Sequence, residues 1–104
     1  MSLIRISESI ELNINYGVIE VDTSKSGVTI FMKPIPIHKQ GETLTIRKIS
    51  NDNHTISLFS DSALINGAEI IIFGLPKTSR FSKGKIQTIV LKSFGNHYRI
   101  VTEQ

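Results

Sequence analysis

The side chains that could do chemistry in this 104-residue chain are few and scattered. His38, His54 and His97 fall in three separate turns or strand starts, without the close pairing that holds a metal ion. The serines sit in turn clusters and none occupies a Gly-x-Ser-x-Gly elbow, so no nucleophile is presented to a base. Asp22, Asp52 and Asp61 each open or occupy a turn, where a carboxylate serves nearby backbone amides rather than general acid–base work. Gly41, Gly67, Gly74, Gly84 and Gly95 are isolated turn residues, not a phosphate-cradling loop. The expectation is a protein that is not an enzyme, with no catalytic residue, no metal site and no cofactor.

Charge offers a binding chemistry instead. The net charge of +3 conceals an asymmetry. Every acidic residue except Glu103 lies at or before Glu69, whereas Lys77, Arg80, Lys83, Lys85, Lys92 and Arg99 lie beyond it with no carboxylate among them. Such a segment attracts nucleic acid or an acidic protein surface, and it also suits a solvated loop. Base stacking needs exposed aromatics beside basic residues, and only Phe81 near Arg80 and Lys83, and Tyr98 near Arg99, meet that condition. Phe31, Phe59, Phe73 and Phe94 are expected in the core or capping its ends. Nucleic acid is therefore an unfavoured partner. The candidate exposed binding loop comprises Lys77, Arg80, Phe81, Lys83, Lys85, Asn96 and Tyr98.

The elements that must position these groups are all strands. Val28–Met32, Thr43–Ile49, Thr55–Phe59, Glu69–Phe73, Ile86–Ser93 and His97–Thr102 are rich in β-branched and aromatic residues, and most alternate with period two. With 39% hydrophobic and 20% charged residues, the composition is globular. One core and one domain fit the length. The fold class expected is all-β: a compact antiparallel β-sandwich or partly open β-barrel of about 7–9 short strands. The internal spacing is too irregular for a solenoid.

Local signals refine this. Ser50-Asn51-Asp52-Asn53 predicts a hairpin joining Thr43–Ile49 to Thr55–Phe59, and a slip in alternation at Ile49 predicts a bulge near Lys48. Asn66-Gly67 predicts a tight turn with positive φ at both residues, linking Ala63–Ile65 to Glu69–Phe73. Phe94-Gly95-Asn96 should close a final hairpin. Pro34 and Pro36 exclude a central strand there. Residues 1–15 read as one strand broken near Ser7-Glu8-Ser9 or as a docking arm, and residues 16–104 as the β domain. In the arm, Leu3, Ile4, Arg5, Ile6, Ile10 and Leu12 are the candidate docking residues, since an alternating apolar segment can add to a partner's sheet edge. No apolar stretch is long enough for a membrane helix and no secretion signal is present, so the expectation is a protein made in the cytoplasm, without a membrane partner.

In order, Val21-Asp22-Thr23-Ser24, Gly27-Val28-Thr29-Ile30, Gly41-Glu42-Thr43-Leu44-Thr45-Ile46-Arg47-Lys48-Ile49, Asn53-His54-Thr55-Ile56-Ser57-Leu58, Leu64-Ile65-Asn66-Gly67 and Thr88–Ile100 resemble a small β domain of bacteriophage virion structural proteins. The resemblance spans residues 16–101. Its motifs are turn and strand residues, specific in their order rather than singly. His97 stands where that group has an aromatic such as Trp, and the loop Lys77–Lys85 is longer. The resemblance implies an auxiliary capsid protein, of decoration or head-fibre type, located in the virion. It would bind the major capsid protein or other virion proteins and form a homo-oligomer, a trimer by preference. Two alternatives accompany it: a tail-fibre or baseplate module attaching to a host glycan, and a small basic nucleic-acid binder.

Overall fold

The computed structural model describes residues 2–33, 37–60, 63–74 and 86–104. Those residues form nine strands and no helix. They are β1 (Leu3–Ile6), β2 (Ile10–Glu11), β3 (Val18–Val21), β4 (Val28–Phe31), β5 (Thr43–Lys48), β6 (Ile56–Phe59), β7 (Ile70–Phe73), β8 (Thr88–Ser93) and β9 (Tyr98–Glu103). One sheet has the order β1-β3-β5-β8-β9 and the other β2-β4-β6-β7. The fold is compact and is not a closed barrel.

Both sheets are mixed, which corrects the expected antiparallel pairing. β1, β3 and β5 lie parallel, as do β2, β4 and β6, and only β7, β8 and β9 add antiparallel pairs. Up to β6 the chain crosses from one sheet to the other after every strand, so it passes through both sheets three times. Leu3 is in register with Val18, 15 positions on, and Val18 with Thr45, 27 positions on. Unequal connections hide this stacking from any search for a fixed period.

The same crossing removes the hairpin expected across Ser50–Asn53, because β5 and β6 belong to different sheets. Polar turn residues specify where a chain leaves a strand, not which sheet it enters next. The expected bulge near Lys48 is absent too: β3 and β5 pair regularly through Val21 and Lys48, and Leu44, Ile46 and Lys48 all point inward. The register shift lies instead in β8/β9, where Val90 opposes Thr102 and Leu91 opposes Ile100. The β8–β9 hairpin itself forms as expected, with Phe94 and His97 closing its turn through a 2.9 Å backbone hydrogen bond. Asn66 (φ 51°) and Gly67 (φ 78°) make the predicted turn between Ile65 and Ala68. β7, however, pairs with β6 rather than with residues 63–65.

The segment read as a strand or an arm is both strands of the first pass. Leu3–Ile6 pairs with β3 and Ile10–Glu11 with β4, the break falling at Ser7–Ser9. Ile6 and Leu12 are buried, and Ile4 and Ile10 pack against the core. The inward residues of both sheets, including Ile19, Val21, Ile30, Leu44, Ile46, Leu58, Ile89 and Leu91, make one apolar cluster.

Candidate functional site

The two sheets present different outer faces. On the five-stranded sheet, the register sets Arg5, Glu20 and Arg47 side by side. Glu20 bridges the two guanidiniums at 3.1 and 3.6 Å. On the four-stranded sheet, Phe31 lies in register with Phe59 and Phe59 with Ile70, while Ile72 opposes Ser57. Phe31 (44% exposed), Ile70 (49%) and Ile72 (60%) project into solvent. The Phe31 and Phe59 rings meet edge to face, 5.9 Å between centroids. An ion pair between Lys33 and Glu11 flanks Phe31. A contiguous exposed apolar patch with a polar rim is the usual signature of an interaction surface. The sequence places Phe31 in the core or capping its ends. It lies outside because Val28 and Ile30 already occupy the inward phase of β4.

A second surface feature lies at the β8–β9 turn. Phe94 is partly exposed and stacks on His97, with centroids 5.2 Å apart and rings 9° from parallel. Lys92 Nζ and the Arg99 guanidinium each lie 5.9 Å from the Phe94 centroid. Lys92 and Arg99 are direct cross-strand neighbours. Neither has an ion-pair partner among the described residues. His97 Nδ1 is 2.7 Å from Asn96 Oδ1, a geometry in which the ring N–H donates. A groove of about 530 Å³ beside this platform is lined by Leu64, Asn66, Gly67, His97, Arg99 and Ile100. An anion with a flat or apolar portion is the ligand chemistry such a group accepts.

Of the residues expected on an exposed loop, Asn96 is exposed there. Tyr98 is not: it is fully buried, its side chain turned inward at the start of β9. Lys77, Arg80, Phe81, Lys83 and Lys85 lie outside the described residues, as does Asp61. Of the docking candidates, Leu3 and Arg5 face outward on an edge strand, and Ile6 and Leu12 are consumed by the core.

Two buried polar clusters occupy opposite ends of the fold. At one end His38 is buried, its Nδ1 3.1 Å from Tyr98 Oη and its Nε2 2.8 Å from the Tyr16 carbonyl. The neutral tautomer with hydrogen on Nε2 satisfies both contacts: the ring donates to Tyr16 and accepts from the phenol. Ser93 Oγ donates to the His38 carbonyl at 2.7 Å. Burial pushes the Tyr98 phenol up to about 12.

At the other end, Lys48 is fully buried. Its Nζ donates to the carbonyls of Asp52 (3.0 Å), His54 (2.7 Å) and Gly74, and lies 3.2 Å from Asp52 Oδ1. Asp52 Oδ1 also accepts from Thr23 Oγ1 (2.7 Å) and the His54 amide (3.0 Å). Ser50 Oγ accepts from the Thr23 amide at 2.9 Å. Burial alone would raise the Asp52 carboxyl. Hydrogen bonds from Ser50, Thr23, the His54 amide and Lys48 outweigh it and hold the group well below the usual carboxylate range. This cluster ties the β3–β4 and β5–β6 crossings to Gly74 after β7. Sequence reasoning missed it, although strict alternation from Leu44 and Ile46 points Lys48 inward. No group of three or more metal-ligating residues occurs among the described residues.

No protein-family model, no curated protein and no solved structure matches the chain.

Proposed function

We propose that this chain is a structural protein of a phage particle. It is a compact β-sandwich of auxiliary capsid type that docks on the major capsid protein or another virion protein and works without catalysis. The observation that carries the reading is the contrast between outer faces. Arg5 and Arg47 share the Glu20 carboxylate on one sheet, whose outer face is thus charged, whereas Phe31, Ile70 and Ile72 stand exposed on the other. A face of that kind stabilises a fold only when something covers it. The order of sequence motifs resembling virion β domains supplies the class of partner. Three side chains singled out in the sequence for their chemistry also fit the reading, since Asp52, His38 and Tyr98 bond within the fold.

The test is co-sedimentation of the purified protein with particles assembled from a phage major capsid protein. Wild type should travel with the particles, and Phe31→Asp should stay at the top of the gradient while keeping its far-ultraviolet spectrum. Equal binding by both proteins would refute docking through this face.

A second reading rests on the Phe94–His97 stack with Lys92 and Arg99. That platform suits an attachment module whose ligand is an acidic host glycan, the ring packing on Phe94 and the anion on the two cations. A glycan array on which wild type and Arg99→Ala give the same signal for acidic sugars would dispose of it.

A further inference from the structure

We infer that two copies of this chain join edge to edge through β7, continuing the four-stranded sheet into one of eight strands across a two-fold axis. The dimer stands or falls independently of the virion reading.

The four sheet edges are not alike. β2 is two residues long and carries Glu11, β1 carries Arg5, and β9 carries Arg99 beside a register shift. Short length, charge and bulging are the devices that stop an edge strand from recruiting another. β7 has none of them: it reads Ile70-Ile71-Ile72-Phe73, with no charge, proline or bulge, and no described strand covers its outer side.

The hydrogen-bond phase of β7 suits a copy of itself. Ser60 donates to the Glu69 carbonyl at 2.7 Å, and the β6–β7 register places Leu58 opposite Ile71 and Ile56 opposite Phe73. In an antiparallel ladder, residues 69, 71 and 73 therefore turn their backbone groups toward β6, and Ile70 and Ile72 turn theirs to the open edge. An antiparallel partner centred on Ile71 sets Ile70 of one copy against Ile72 of the other, twice. All four free N–H and C=O pairs are then used. The same register brings the exposed Ile70 and Ile72 side chains into cross-strand contact and places no like charges opposite each other. A four-residue seam buries less than a standard interface, so the dimer is weak and concentration-dependent in solution. It doubles the apolar outer face.

Sedimentation equilibrium of the full chain up to about 1 mM, a range that resolves weak dissociation constants, tests this. Wild type should approach twice 11.6 kDa. Ile72→Pro deletes an N–H that the single copy does not use, and Ile72→Lys sets a charge in the seam; each should raise the dissociation constant at least about tenfold. Phe31→Lys, on the same face but away from the edge, should leave it unchanged. A wild type that stays monomeric, a trimer, or a dimer that persists in folded Ile72→Lys would each overturn the inference.

Discussion

Replacing Lys48 by Met isolates the buried ammonium, because Met keeps an unbranched stem of similar volume in the same slot. The loss can be summed from the partners. The Gly74 carbonyl is buried and loses a charged donor with no water to replace it, about 1–3 kcal/mol. The Asp52 and His54 carbonyls lie in a turn that water reaches, so each loses less. Asp52 forfeits its cation but keeps the Thr23 hydroxyl and the His54 amide. Breaking a buried pair from one side costs about 3–5 kcal/mol, and the remaining bonds to Asp52 put this case at the lower end, about 3 kcal/mol. Urea unfolding followed by circular dichroism should show the midpoint falling by about 3 M at an unchanged slope of about 1 kcal/mol/M. Asp52→Asn should destabilise by less, and the double variant by less than the sum, because the second change removes a partner that the first has already lost. A Lys48→Met protein within about 0.5 kcal/mol of wild type, the range of an ordinary surface substitution, would refute the account of this cluster.

Three other perturbations follow from the same geometry. The folded Asp52 carboxyl is held below its unfolded value of 3.8, so its contribution is complete above that value and lost as pH falls below it; acid titration of stability should be flatter in Asp52→Asn than in wild type between about pH 5 and 2. Tyr98 is shifted the other way, from 10.0 to about 12. Its protonated form therefore contributes stability in full below pH 10, and that contribution fades as pH rises through the folded value. Absorbance near 295 nm should show Tyr98 ionising only as the fold opens, and Tyr98→Phe, which orphans His38 Nδ1, should cost about 1–3 kcal/mol. Gly67→Ala meets open space at φ +78° and should cost about 1–2 kcal/mol. Gly74→Ala has a similar φ of +92° and sets a Cβ 3.1 Å from Lys48 Cδ, so the larger loss in thermal melts belongs to Gly74; equal losses would count against the tight packing of Lys48 beneath it.

The strands were legible because alternation is a local signal: β4, β5, β6, β8 and β9 fall where runs such as Val28–Phe31 and Thr88–Ser93 place them. The pairing was not, because it depends on which sheet each connection enters. Asn66-Gly67 and Phe94–Asn96 were readable as turns, since positive φ and tight reversal demand particular residues. Ser50–Asn53 carries an equally strong turn composition, yet Asp52 spends its oxygen on Thr23, 29 positions away, and on Lys48. Nothing local distinguishes that use from a hairpin. Tyr98 was misplaced for a related reason. Its neighbour Arg99 suggested a wet strand face, and the His38 contact that draws the phenol inward spans 60 positions.

Those two long-range contacts explain how a chain with no cysteine and three parallel passes keeps one topology. An apolar core rewards any arrangement that buries the inward residues, and a one-pass exchange of crossings would bury nearly the same set. Hydrogen bonds do not tolerate the exchange: Lys48 needs the Asp52, His54 and Gly74 carbonyls together, and His38 needs Tyr16 and Tyr98. A misassigned crossing would part Lys48 from the Gly74 carbonyl and the His38 ring from Tyr16 and Tyr98, and a buried polar group left unpaired is penalised. The polar ends thus discriminate between passes that the apolar middle treats alike. The outer face of the four-stranded sheet lies outside this internal bonding, which leaves Phe31, Ile70 and Ile72 available to another molecule.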